Sequence, residues 1–336
     1  MKNRIIVLVV AALCYFNLYA QQQVKIGIIG LDTSHSTAFT KFLNGGEAKE
    51  YAGFKIVAAY PYGSKTIKSS YERIPKYIEE VKKYGVEIVP NINDLLSKVD
   101  FVLLETNDGN LHLEQAAAIF KAGKIAFVDK PLGANLAQAI AIVELSKQYK
   151  VPFFTSSALR FSSQNMKLRK GESGKVLCVD YTSPAVKEPS HADFSWYGIH
   201  GVEALFTIMG KDCKFVSRMQ SDTEDVVVGK WDDGRTGSFR GRKAGPNMYS
   251  YGGVAYTDKG VMPVGGYEGY MDLLNEILTF FRTGVVPVSP EETLEIFTFM
   301  EASNESARKG GKIISMEETY KKGEKEAKKL LKKLNR

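Results

Sequence analysis

Cysteine is scarce in this chain. Among 336 residues only Cys14, Cys178 and Cys213 carry a thiol, which excludes a small fold held together by a disulfide framework. Cys178 alternates with apolar neighbours and reads as a small buried side chain. Internal repeats and low-complexity tracts are absent, so solenoids and long flexible linkers are excluded too. The most apolar stretch, Ile5 to Phe16, is shorter than the roughly 20 residues a membrane-spanning helix needs. No integral span is expected. Histidine is equally sparse (His35, His112, His191, His200), and no His/Cys spacing matches a zinc site, so no metal set is assigned. The formal charge is +7, yet ten basic and four acidic residues fall within Lys309–Arg336. The remainder is close to neutral. The basic character therefore belongs to a solvated C-terminal helix, and nucleic acid is not an expected partner.

The first residues form a processing segment. Lys2 and Arg4 precede the apolar run, and Leu18-Tyr19-Ala20 precedes Gln21, the arrangement of a signal peptide over residues 1–20. Leu13 before Cys14 does not make a lipobox, and no twin-arginine pair occurs. Export by the general route to a periplasm-like compartment is the expectation.

From Gln21 onward the chain is long enough for two domains. Apolar strands alternate with helical periods up to about residue 158. Residues 21–158 are therefore expected to form an α/β, Rossmann-type nucleotide-binding domain on a parallel sheet. Beyond Leu159 strands dominate, with turn signals such as Trp231-Asp232-Asp233-Gly234. Residues 159–310 read as an α+β domain with a largely antiparallel open sheet, and 311–336 as the basic helix.

Val24 to Phe39 reads VKIGIIGLDTSHSTAF. A short apolar strand runs into Gly30 and then a helix, which is the opening of a dinucleotide-binding βαβ unit. The glycine fingerprint is degraded. Gly30 holds the first position, but Asp32 stands at the second and His35 at the third. An acid there repels phosphate, whereas Thr33, Ser34 and His35 offer donors, and Asp32 is free to turn away and cap the helix. After the second strand no carboxylate is available for a ribose. Ser64 and Lys65 either receive a 2′-phosphate, favouring NADP, or belong to a solvated loop.

Several segments together carry a family resemblance. Ala122 to Leu132 reads AGKIAFVDKPL, Asn107 to Gln115 reads NDGNLHLEQ, Ala158-Leu159-Arg160-Phe161 lies at the domain junction, Gly174-Lys175-Val176 comes next, and Gly198-Ile199-His200-Gly201-Val202-Glu203 closes at Gly210. This set resembles the glucose–fructose oxidoreductase, inositol dehydrogenase and MocA family (Gfo/Idh/MocA). Asp129 replaces the family's Glu, and Trp196 stands where many members place an Asp before the histidine. The resemblance implies NAD or NADP as cofactor. It implies Asn107, His112, Asp129 and Lys130 beside that cofactor, and Lys130 and His200 as the groups that manage an alcohol proton. Glu203, Asp193 or Asp129 are the candidates for the missing partner of His200.

Arg160, His191, Asp193, Trp196, Tyr197 and Glu203 are expected to face a sugar, polyol or glycoside, with the aromatic rings stacking on it. A homo-oligomer through the open sheet is expected by resemblance. A periplasm-like compartment offers little free nicotinamide cofactor, so a tightly held one is the consistent form. Two other readings stand beside this one: a carbohydrate-binding protein without cofactor, and a metal-dependent hydrolase or lyase with His191, Asp193, His200 and Glu203 as ligands.

Overall fold

The computed structural model describes residues 23–46, 53–246 and 248–334. The expected signal peptide lies outside these residues. Strand β1 (Val24–Ile29) opens a six-stranded sheet with β2 (Phe54–Tyr60), β3 (Glu87–Ile88), β4 (Phe101–Leu104), β5 (Ile125–Asp129) and β6 (Phe153–Ser156). Its order is β3-β2-β1-β4-β5-β6, and the paired strands run parallel. This is the doubly wound order, whose switch point between β1 and β4 opens a crevice at the carboxyl ends. The last four residues of β1 are buried because a parallel sheet covered on both faces favours continuous apolar strands.

Helices α1 (Ser34–Asn44) and α2 (Ile74–Lys82) follow β1 and β2. Helices α3 (Ile92–Lys98), α4 (Gly109–Lys121) and α5 (Leu136–Tyr149) follow β3, β4 and β5. Short α6 (Ser163–Arg169) leads into the second unit. Its sheet runs β12-β11-β7-β10-β9-β8-β13, from β7 (Val176–Pro184), β8 (Cys213–Gln220), β9 (Glu224–Trp231), β10 (Thr236–Arg242), β11 (Gly252–Thr257), β12 (Gly260–Pro263) and β13 (Ile314–Ser315). Only the β7–β10 pair is parallel. Helices α7 (Ile199–Met209) and α9 (Pro290–Arg308) pack on this sheet. Cys178 and Cys213 are free thiols, and Cys178 is half-buried rather than fully buried.

Helix α8 (Met271–Thr283) returns to the first sheet. Leu273, Leu274, Ile277 and Phe280 are fully buried there against Ile26, Ile28, Phe127 and Phe154. Phe281 stacks on Phe101 at 4.5 Å, and Phe280 meets Phe154 edge-on at 5.3 Å. Burying each such side chain contributes about 1.5–3 kcal/mol, so this docking fixes the residue before the helix, Tyr270, over the start of α1.

The basic C-terminal helix α10 (Met316–Leu334) is not solvated all round. Its small buried residues Thr319, Gly323 and Ala327 lie at four-residue spacing and pack along α5. A Cβ on Gly323 would meet Leu136 at 2.7 Å. The charged residues occupy the other faces.

Candidate active site

A cleft of about 600 Å³ lies at the carboxyl ends of β1, β4, β5 and β6 and is walled on its other side by loops of the second unit, within the size range of small-molecule sites. Thr33, Ser34 and His35 line it from the β1–α1 turn. Asn107 lines it from the end of β4, and Asp129, Lys130 and Ser157 from β5 and β6. The second unit contributes His200 and the rings of Trp196, Tyr197, Tyr249, Tyr251, Tyr267 and Tyr270.

The turn keeps one glycine of the fingerprint for a steric reason. Gly30 has φ +94°, and a Cβ there would lie 2.4 Å from the Thr106 backbone nitrogen. Asp32 behaves otherwise than expected. Its carboxylate is fully buried, and Oδ1 accepts a 3.0 Å hydrogen bond from Asn107 N–H. On its other side it abuts Gly63, where a Cβ would lie 2.1 Å from Oδ2. Burial, against the Asn107 bond, pushes its pKa up to about 6. The acid thus ties the loops after β2 and β4 together and does not cap α1.

Thr33 is the N-cap of α1 but makes no side-chain cap bond, and its buried hydroxyl has no partner. An uncapped helix start with an orphaned hydroxyl is a ready site for an anion such as a diphosphate. Ser34 Oγ and the Tyr270 hydroxyl share a 3.0 Å hydrogen bond beside it. The turn therefore fits the phosphates of a dinucleotide although two glycines are missing.

Beneath the turn His35 Nδ1 lies 3.1 Å from Asp129 Oδ1 and 3.6 Å from Glu105 Oε2. Burial opposes the imidazolium, but the two carboxylates outweigh it and push the His35 pKa up to about 10. Burial, then the Asp129 charge, raises Glu105 to about 7. Burial works against the Asp129 charge as well, yet His35 and Lys130 hold it below the usual carboxylate range.

Lys130 ends β5, and its peptide bond to Pro131 is cis. Its ammonium makes no hydrogen bond or ion pair among the described residues and lines the cavity. His200 shares a 2.7 Å hydrogen bond between Nδ1 and Ser157 Oγ. Burial, with Lys130 nearby, holds its pKa well below the ordinary range, so the ring is neutral at pH 7. Its partner is a hydroxyl, and none of the expected carboxylates replaces it.

Comparison with known proteins agrees with this geometry. Residues 24–157 match the family model GFO_IDH_MocA, described as an oxidoreductase family with an NAD-binding Rossmann fold. The matched residues are those of the first sheet and its helices, and they are similar to that family's nucleotide-binding part. Myo-inositol 2-dehydrogenase of Thermotoga maritima is 30% identical over 167 residues, 46% of this chain and 48% of that protein. The match thus spans about half the length of that curated relative. Scyllo-inositol dehydrogenase from Lactobacillus casei, with bound NAD(H) and scyllo-inositol, superposes with TM-score 0.71 at 16% identity, over 88% of this chain and 100% of the other. An oxidoreductase from Agrobacterium radiobacter in complex with NAD+, L-tartaric acid and magnesium gives TM-score 0.67 at 13% identity, over 88% and 99%. Both units of the chain thus share the fold of these two-part proteins.

Several expected site residues lie outside the cavity or in other contacts. Ser64 Oγ accepts from the Thr66 and Ile67 amides at 3.3 and 3.1 Å, and neither it nor the exposed Lys65 lines the cavity. His112 is buried between the carbonyls of Thr106 (2.6 Å) and Leu132 (3.3 Å) and braces the loops after β4 and β5. His191 Nε2 accepts from Gly109 N–H at 3.1 Å, pinning a loop of the second unit to the start of α4. Asp193 pairs with Arg218 at 2.8 Å and Lys187 at 2.9 Å. Glu203 accepts from Ser156 Oγ, Ser157 N–H and Arg160 Nε at 2.6–2.8 Å, and Arg160 also pairs with Glu292 at 2.7 Å. The His191–Gly109 and Glu203–Ser156/Ser157 bonds brace the two units against each other, whereas the Asp193 pairs lie within the second unit. The set His191, Asp193, His200 and Glu203 is therefore not gathered around one point.

Residues missed in the sequence include Ser157, Arg73, Ser69 and the four tyrosines 249, 251, 267 and 270. The tyrosines sit in the glycine-rich stretches Gly245–Gly253 and Gly265–Tyr270, a composition that marks loops presenting side chains.

Proposed function

We propose that this protein is an oxidoreductase that acts on a secondary hydroxyl of a sugar, polyol or glycoside with a tightly held NAD or NADP. One observation carries the reading. The uncapped start of α1, Lys130 and the neutral His200 all line one aromatic-walled cavity at the switch point of a doubly wound sheet. The inositol dehydrogenase relatives support the substrate class.

The Gly30 backbone, the first amides of α1, the Thr33 hydroxyl and Asn107 would hold the dinucleotide. Arg73 and Ser69 line the same cavity from the segment after β2. When bound, the nicotinamide supplies the acceptor for a hydride leaving the carbinol carbon. The Lys130 ammonium donates a hydrogen bond to the substrate oxygen and holds it. His200, with Nδ1–H donating to Ser157 Oγ, has Nε2 as acceptor for the hydroxyl proton as the carbonyl forms. The product is a ketone, and the reverse reaction returns the proton from His200. Trp196 and Tyr197 offer faces on which a sugar ring stacks.

Export and a homo-oligomer belong to the same proposal. Leu177, Phe215, Met219, Val228 and Tyr256 are exposed on the strands of the second sheet, and apolar side chains on an open sheet face offer contacts to a second copy. No helix among the described residues is long and apolar enough to cross a membrane.

The test is to release small molecules from purified protein by denaturation, identify them by mass spectrometry, and then assay polyols and glycosides. Co-purifying NAD or NADP that is reduced on adding a polyol supports the reading. A protein that binds sugar normally while taking up neither dinucleotide at millimolar concentration contradicts it.

A further inference from the structure

We propose that His35, Glu105 and Asp129 bind a single divalent cation, such as zinc or manganese, at the floor of the cavity. The site would be new to this fold's cofactor turn, since His35 stands where a glycine of the fingerprint belongs. It goes beyond the redox reading and is tested without turnover.

The ligand atoms are already assembled. One donor atom from each residue lies within 4.8 Å of the other two. His35 Nδ1 is 3.1 Å from Asp129 Oδ1 and 3.6 Å from Glu105 Oε2. Donors around one ion at about 2.0–2.2 Å from it stand roughly 3.0–3.6 Å apart, the separation seen here.

The histidine–carboxylate ion pair accounts for only part of the cluster. Glu105 is fully buried, and neither of its carboxylate oxygens has a hydrogen-bond partner. Asp129 Oδ2 is likewise without one, while His35 Nδ1 faces both acids at ion-pair distance. Buried carboxylates are otherwise paired, hydrogen-bonded or metal-bound. A cation would displace the proton that the two carboxylates hold on His35, and two carboxylates with the resulting neutral imidazole balance a divalent charge.

The supports are those of a metal site. Glu105 and Asp129 sit at the carboxyl ends of the neighbouring strands β4 and β5, and His35 in the first turn of α1, so the ligands rest on regular elements. Asp129 Oδ1 accepts from Lys130 N–H at 2.8 Å. The His35 ring is held by Phe39 and Tyr270, at 5.5 and 4.4 Å between centroids. Such outer contacts orient ligands. The donor set of one nitrogen and carboxylate oxygens, without sulfur, suits zinc or manganese. His35 and Asp129 line the cavity, which leaves the remaining coordination positions open to water or a substrate hydroxyl.

The experiment strips the full chain with EDTA, exchanges it into metal-free buffer and titrates zinc and manganese by calorimetry. The zinc-loaded protein is then examined by X-ray absorption. One ion per chain is expected, with a shell of one nitrogen and several oxygens. Glu105→Gln and Asp129→Asn should each weaken binding by at least about 100-fold while retaining the native circular dichroism. Absence of binding by the wild-type chain overturns the site, and so does a shell containing sulfur or several imidazoles. Unchanged affinity in folded Glu105→Gln does the same. If the variants fail to fold, the wild-type titration and shell decide alone.

Discussion

The buried acid at the second fingerprint position allows a quantitative test. Burial raises the Asp32 pKa from 3.8 to about 6. The folded state therefore holds this proton more tightly than the unfolded chain. For such a group stability is greatest below the unfolded value, declines as pH rises from about 4 to about 6, and is level above that. A shift of roughly two units, at 1.36 kcal/mol each, makes ionised Asp32 cost about 3 kcal/mol at pH 7.5. Asp32→Asn keeps the Oδ1 acceptor for Asn107 N–H and removes the charge. The new amide nitrogen inherits the unpartnered position of Oδ2, which costs about 1 kcal/mol. The variant should thus gain about 2 kcal/mol at pH 7.5. With 336 residues and about 2.1 cal/mol/K of unfolding entropy per residue, the melting temperature rises by about 3 °C. Denaturant titration of both proteins at pH 7.5 and 4.5 is the assay. The gain should nearly vanish at pH 4.5, where the folded wild type is protonated. A variant no more stable than wild type at pH 7.5, or a gain that persists at pH 4.5, refutes the burial argument.

Other outcomes rest on the same contacts. Lys130→Ala and His200→Ala should each abolish turnover on the true substrate while moving stability by less than about 1 kcal/mol; normal turnover in either variant removes that residue from the proton path. Glu203→Gln leaves the buried Arg160 with Glu292 as its remaining acid and should cost about 3 kcal/mol in denaturant titration; a change below about 0.5 kcal/mol contradicts a bracing role. Gly30→Ala forces a Cβ against the Thr106 backbone at positive φ and should cost at least about 2 kcal/mol, read as a lower denaturant midpoint with loss of dinucleotide binding.

Much of the fold was legible because its signals are local. The apolar run into Gly30, the strand ending at Lys130-Pro131 and the switch to strand-rich sequence after Leu159 each depend on a few neighbouring residues. Edge strands β12 and β13 and the short α6 were not anticipated, being two to seven residues long and set by their partners. The cavity was legible in outline through Lys130, His200, Trp196 and Tyr197. Tyr270 was not, because its place over Ser34 depends on α8 crossing back to the first sheet from 236 residues away. Glu105 looked like an ordinary strand end, and only the sheet order sets it beside Asp129. Arg160, Asp193 and Glu203 had the chemistry of a substrate site, but their partners, with Glu292 and Arg218 among them, come from other elements and engage them in ion pairs. For α10 the net charge outweighed the small-residue stripe that packs it on α5.

The central claim is that an uncapped helix start and an orphaned threonine hydroxyl hold a diphosphate where two glycines are missing. Trp196 lines the cavity while Trp231 is fully buried against Phe206, so tryptophan emission reports on the site directly. Titration of the purified, ligand-stripped chain with NADH and NADPH, monitored by tryptophan quenching and calorimetry, should give one saturable site per chain, weakened at least about tenfold by Thr33→Val. No quenching and no heat with either dinucleotide up to millimolar concentration contradicts the account.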